Sequence, residues 1–127
     1  MSINEYIQTV MTAIQRLEDY GLAESIESQS EVRKEKTAIV YIKVILVDKS
    51  ELYIREYING RDGIVRVSYA YQYQSKDKSL IFRYDNAQHK PALGFDEHKH
   101  TKDSEIIACH LPEIDEIIDE VIECLSN

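Results

Sequence analysis

The sequence predicts an α+β fold: a twisted antiparallel sheet of five or six strands with an N-terminal and a C-terminal amphipathic helix packed on it. Three observations carry this. Apolar residues recur at helical spacing only near the two ends. Between them lie runs with period-two or continuous apolar character, separated by short turns. The helices flank the strands instead of alternating with them, which argues against parallel βαβ units. A chain of 127 residues makes one ordinary domain, taken as 1–127.

Ser2 and Glu5 fit a capping box. Ile3, Ile7, Val10, Met11, Ile14 and Leu17 then follow helical spacing, and Gly21 suits the C-cap, so the first helix runs from Ile3 to Tyr20. Ser25 to Lys34 is polar and reads as an edge strand or an extended arm. Thr37 to Val47 is apolar on both parities, which suggests a central strand covered at least partly on both faces. After the Asp48-Lys49-Ser50 turn, Glu51 to Ile58 sets Leu52, Ile54 and Ile58 against Tyr53, Arg55 and Tyr57. Asn59 to Gly63 is a turn by its Asn and Gly content. Ile64 to Gln74 puts Val65, Val67, Tyr69, Tyr71 and Tyr73 on one parity and Arg66, Ser68, Ala70, Gln72 and Gln74 on the other. Leu80 to Asp85 is the fifth strand. Residues 87–105 show no period, hold Pro91 and Gly94, and read as a long polar loop. Ile106 to Cys109 is the candidate sixth strand. Pro112 opens the last helix, whose apolar stripe is Ile114, Ile117, Ile118, Val121, Ile122 and Leu125.

The net charge of −8 sits in one place. Residues 103–127 carry eight acidic groups and no Lys or Arg, so the first 102 residues are balanced. An acidic pI therefore does not exclude a nucleic-acid partner. There is no apolar run long enough for a membrane span and no signal-peptide pattern at the N-terminus. Two cysteines, Cys109 and Cys124, read as reduced, small hydrophobes, so a cytoplasmic location is expected. The four Gly are scattered, which argues against a phosphate-binding loop, and no cofactor is expected.

The chemistry-bearing groups gather between Leu80 and His100. Arg83 and Asp85 share a strand face; Asn86, His89, Lys90, His98, Lys99 and His100 follow. FRYDNAQHKP followed by FDEHKH resembles the TumE-type toxin family of prokaryotic toxin–antitoxin systems. The Glu-Tyr pair at Glu56-Tyr57, the Tyr-rich strand and the acidic last helix extend the resemblance over most of the chain. One position departs: Lys90 stands where a second His often follows in the family. The resemblance implies the toxin of a type II system with a helix-turn-helix antitoxin as partner.

A metal-independent endoribonuclease would use the RNA's 2′-hydroxyl as nucleophile, with RNA as substrate. His suits its acid and base roles and Arg holds the phosphate. Glu56, Arg83, His89, His98 and His100 are the catalytic candidates. Arg55, Arg66, Tyr71, Tyr73, Asp85, Asn86, Lys90 and Lys99 are the substrate-binding candidates. Plainer roles compete: a Tyr face that is core, Arg55 and Arg66 in cross-strand pairs, an Arg83–Asp85 ion pair, an Asx turn at Asp85-Asn86. His98 and His100 could meet one zinc ion, completed by Asp85, His89 or Asp96. Without H-E-x-x-H or C-x-x-C spacing, no metal is assigned. The site expected is one cleft in which Arg83, His89 and His100 converge with Glu56, with Tyr71 and Tyr73 at its wall. The alternative is a non-enzymatic interaction module, homodimeric or partner-binding, that uses the sheet face or edge.

Overall fold

The computed structural model describes residues 1–34, 36–87 and 96–126. Helix α1 (Ile3–Asp19) is followed by β1 (Ala23–Val32), β2 (Thr37–Leu46), β3 (Glu51–Asn59), β4 (Val65–Gln74), β5 (Leu80–Asp85), β6 (His98–Thr101) and β7 (Ile106–Ala108). Helix α2 (Ile114–Leu125) closes the chain. The strands form one antiparallel meander in sequence order, seven strands where the sequence predicts five or six. The added strand is β6. Its His-Lys-His run reads as loop in the sequence, because four polar residues give no apolar alternation to mark a strand.

Local chemistry sets the ends of α1. Ser2 and Glu5 exchange capping-box hydrogen bonds of 3.0 and 3.1 Å. At the other end Gly21 takes φ +71°, the Gly21 N–H donates to Glu18 O, and the Leu22 N–H donates to Leu17 O. That is a Schellman motif, and it turns the chain directly into β1.

The sheet has one covered face and one open face. Val40, Ile42, Val44 and Leu46 of β2, Leu52, Ile54 and Ile58 of β3, and Tyr69, Tyr71 and Tyr73 of β4 are buried. They form a single core with Phe82, with Val10, Ala13, Ile14 and Leu17 of α1, and with Ile114, Ile117, Ile118 and Val121 of α2. Beyond Thr37, the other parity of β2 is only half-buried or exposed, with Tyr41 38% accessible. Its apolar character on both parities is thus not matched by cover on both faces.

A β-bulge changes the parity of β4. Tyr57 pairs with Ser68 but Ile58 pairs with Arg66, which leaves Val67 as the extra residue. Arg66 is thereby turned to the helix-covered side, while Val65 and Val67 are exposed. The sequence parity, which groups Val65 and Val67 with the tyrosines, is corrected at this point. Asn86 caps the irregularity: its Oδ1 accepts from the Tyr69 N–H at 3.1 Å, and its Nδ2 donates to Val67 O at 3.1 Å. A side-chain amide here stands in for the strand that β5 no longer supplies.

Ile118 is fully buried between α2 and the sheet. Ile118→Ala should cost about 2–5 kcal/mol by transfer and cavity terms. Thermal or urea denaturation measures this directly, and an unchanged unfolding curve would contradict this packing.

Candidate active site

Pairing between β5 and β6 builds the site. Asp85 lies opposite His98 and Arg83 opposite His100, all on the open face. A carboxylate buried to this degree needs compensating partners, and Asp85 has several. Arg83 Nε donates to Oδ2 at 2.7 Å, the Ala87 N–H donates to Oδ1 at 3.2 Å, and His98 Nε2 lies 2.5 Å from Oδ1. His100 Nε2 lies 3.4 Å from Oδ2. Burial pushes the Asp85 carboxyl up, but Arg83, the Ala87 N–H and His98 outweigh it and hold it below its ordinary value.

The two histidines differ. His98 is fully buried, with Nδ1 facing the Asp96 carbonyl oxygen at 2.8 Å and Nε2 facing Asp85. Both ring nitrogens meet oxygen partners, so the ring orientation is fixed. His100 packs edge-on to His98 with ring centroids 5.0 Å apart, and its side chain keeps 23% of its accessibility. It is the imidazole of this pair that solvent reaches.

Beside these groups the open face is concave. A cavity of about 380 Å³ is lined by Tyr41, Tyr53, Arg55, Ala70, Gln72, Gln74 and Arg83. Arg83 joins it to the Asp85 cluster, donating through Nη1 to Gln72 Oε1 at 2.7 Å. Arg55 is exposed on the neighbouring strand. Cationic groups, tyrosine rings and amides in one groove beside a solvent-reached imidazole suit a phosphodiester with flanking bases. Tyr41, Tyr53 and Gln72 were not among the sequence candidates. Their signal was the strand parity they share with Arg55 and Arg83 once the register is known.

The expected convergence with Glu56 does not occur. Glu56 is fully buried on the helix-covered face, as are Tyr71 and Tyr73, with the sheet between them and Arg83. Tyr6 of α1 donates to both Glu56 oxygens at 3.0 and 2.8 Å, and Tyr71 donates to the same carboxylate. Arg66 donates to Tyr71 Oη at 3.0 Å and to the Pro112 carbonyl, which ties β4 to the segment before α2. Tyr73 shares a hydrogen bond with Ser50 at 2.7 Å. Lys99 also faces the helices: it donates to Glu120 at 2.8 Å, and Tyr84 donates to the same carboxylate at 2.7 Å. His89 and Lys90 lie outside the described residues.

Among the described residues Asp85, His98 and His100 are the group whose side chains could share a metal ion, with one ligand atom each and all within 4.8 Å.

Burial raises the Glu56 carboxyl above its ordinary value of 4.5, against the hydrogen bonds from Tyr71 and Tyr6 that lower it. A raised carboxyl in the folded state contributes stability that is complete below the unfolded value and is lost as pH rises through the folded one. The stability of the protein relative to Glu56→Gln should therefore fall as pH is raised from below to above the ordinary carboxyl value of 4.5. Denaturant titrations across that range give the difference; one that stays flat or rises would contradict burial as the dominant influence.

A family model described as Toxin TumE matches residues 13–126. No curated protein and no solved structure matches the chain.

Proposed function

The chain belongs to the TumE toxin family, and from that membership we propose that it is the toxin of a type II system and acts as a metal-independent endoribonuclease on the open face of its sheet. The observation that carries this reading is the Arg83–His100 pair on adjacent strands, held by the buried Asp85 at the end of an Arg- and Tyr-lined groove.

The chemistry follows from the placement of these groups. RNA lies in the groove, its phosphate against Arg83 and Arg55 and a base against Tyr53 or Tyr41. With the Nε2 proton of His100 directed at Asp85, the lone pair on Nδ1 is the base. The 2′-oxygen gives its proton to that nitrogen and attacks the phosphorus. The bond to the 5′-oxygen breaks, that oxygen takes up a proton from water, and the hydroxide left behind takes the proton from Nδ1 and restores the base. The products are a 2′,3′-cyclic phosphate and a 5′-hydroxyl. His98, fixed and buried, positions Asp85, and Glu56 beneath the helices has no part in the reaction.

A helix-turn-helix antitoxin is the proposed protein partner. The exposed acids of α2, Asp115, Glu116, Asp119 and Glu123, offer a surface complementary to a basic protein. No described helix is long and apolar enough to cross a membrane, and action on RNA in the cytoplasm is part of the same proposal.

His100→Ala should slow RNA cleavage about 100- to 10,000-fold, the usual effect of losing an acid–base group, and relieve growth arrest on induction. Arg55→Ala, an exposed change that leaves the Asp85 cluster intact, should weaken RNA binding. Near-ultraviolet circular dichroism checks that both variants fold. If both arrest growth as the unmodified protein does at equal expression, the open face is not the toxic site.

A further inference from the structure

The sequence assigns no metal, since an H-x-H pair alone falls short of a metal-binding pattern. Pairing of β5 with β6 adds the missing third group. We propose that His98 Nε2, His100 Nε2 and a carboxylate oxygen of Asp85 form a site for one divalent ion of the zinc class.

Two imidazoles and a carboxylate are a donor set that zinc takes where it keeps an open position. The outer shell is also present. A metal-ligating His almost always donates its other ring N–H to a carbonyl or carboxylate, which fixes the tautomer. His98 does this from Nδ1 to the Asp96 carbonyl at 2.8 Å, so the geometry offers Nε2 as the ligand atom. Arg83 and the Ala87 N–H hold the Asp85 carboxylate in place. His98 and Asp85 are both buried, so their orientation is set before any ion arrives.

Distances decide how much must move. Bonds of about 2.0 Å in a tetrahedron put ligand atoms about 3.3 Å apart. His100 Nε2 and Asp85 Oδ2 are already 3.4 Å apart. His98 Nε2 lies 2.5 Å from the other oxygen, Oδ1, and would exchange that contact for the ion; with one ligand atom from each residue all within 4.8 Å of one another, the remaining separations close by about 1.5 Å at most. The Arg83 guanidinium opposes a second cation and keeps the site weaker than one with a neutral shell.

The ion also bears on the reaction, and only this consequence rests on the catalytic reading above. An ion on Nε2 of His100 leaves the ring proton on Nδ1, where the base needs a lone pair. Occupancy and cleavage are then mutually exclusive.

Binding is tested without any activity assay, so the result stands whether or not the protein cuts RNA. The full chain carrying Cys109→Ser and Cys124→Ser, which removes the thiol ligands, is stripped of metal and titrated with zinc chloride in a calorimeter. His100→Gln is made in the same background, because loss of the fully buried His98 risks the fold. One equivalent should bind and raise the melting temperature, and His100→Gln should weaken binding at least about 10-fold. Binding that is absent, or equal in the two proteins, would overturn the site. The second result would also place the ion elsewhere, as on the exposed His110–Glu116 pair.

Discussion

The β5–β6 end of the open face is organised by one buried carboxylate. Asp85 is withdrawn from water and must be compensated where it lies, and its partners come from two strands and the chain just beyond. That requirement sets the register of β6 on β5 more firmly than four polar residues would by themselves. It also fixes Arg83 and His100 side by side at the mouth of the groove. Because side chains alternate along a strand, the same His-Lys-His run sends Lys99 to the other face. There it meets Glu120 and lies over the rings of Phe82 and Tyr84. One tripeptide thus closes the site and fastens α2 to the sheet.

Glu56 answers the same problem on the opposite side with different partners. Tyrosine hydroxyls reach it directly, while the cation Arg66 acts at one remove through Tyr71. Desolvation therefore prevails and the carboxyl is raised, whereas at Asp85 the Arg83 guanidinium, the Ala87 N–H and His98 together outweigh burial and the carboxyl is lowered. A raised carboxyl is the better general base by its protonation behaviour alone. Glu56 is nonetheless sealed under the helices and linked to α1 and to the chain before α2. Its role is to join three elements of the fold. Contact with a solvent-reached imidazole, more than proton affinity, separates Asp85 from the structural acid.

Much of this could be read from the sequence where one residue speaks for its own neighbourhood. The capping box at Ser2 and Glu5, the glycine after α1, the turns between β2 and β4 and the stripe of α2 all rest on local periodicity or local backbone chemistry. The segment from Arg83 to His100 stood out by composition alone. What the sequence did not show depends on pairing. A strand made of His, Lys, His and Thr carries no apolar alternation. The extra residue at Val67 inverts the parity of Arg66 without any Gly or Pro to mark it. The groove residues Tyr41, Tyr53 and Gln72 come from three strands, and only the register of the sheet brings them together. Glu56 and Arg83 lie on opposite faces for the same reason: the alternation within β3 and within β5 is legible in the sequence, but which faces coincide depends on the register through β4.

The central claim, that the Asp85-held His100 uses the RNA's own hydroxyl as nucleophile, is tested most directly by the ends of the cleaved RNA. A short RNA incubated with the purified protein in the presence of chelator should yield a 2′,3′-cyclic phosphate and a 5′-hydroxyl, and a 2′-deoxy residue at the cleaved position should block cutting there. Mass spectrometry of the fragments distinguishes these from the alternative. Fragments ending in a 3′-hydroxyl and a 5′-phosphate, or cleavage that persists past the 2′-deoxy residue, would contradict the account.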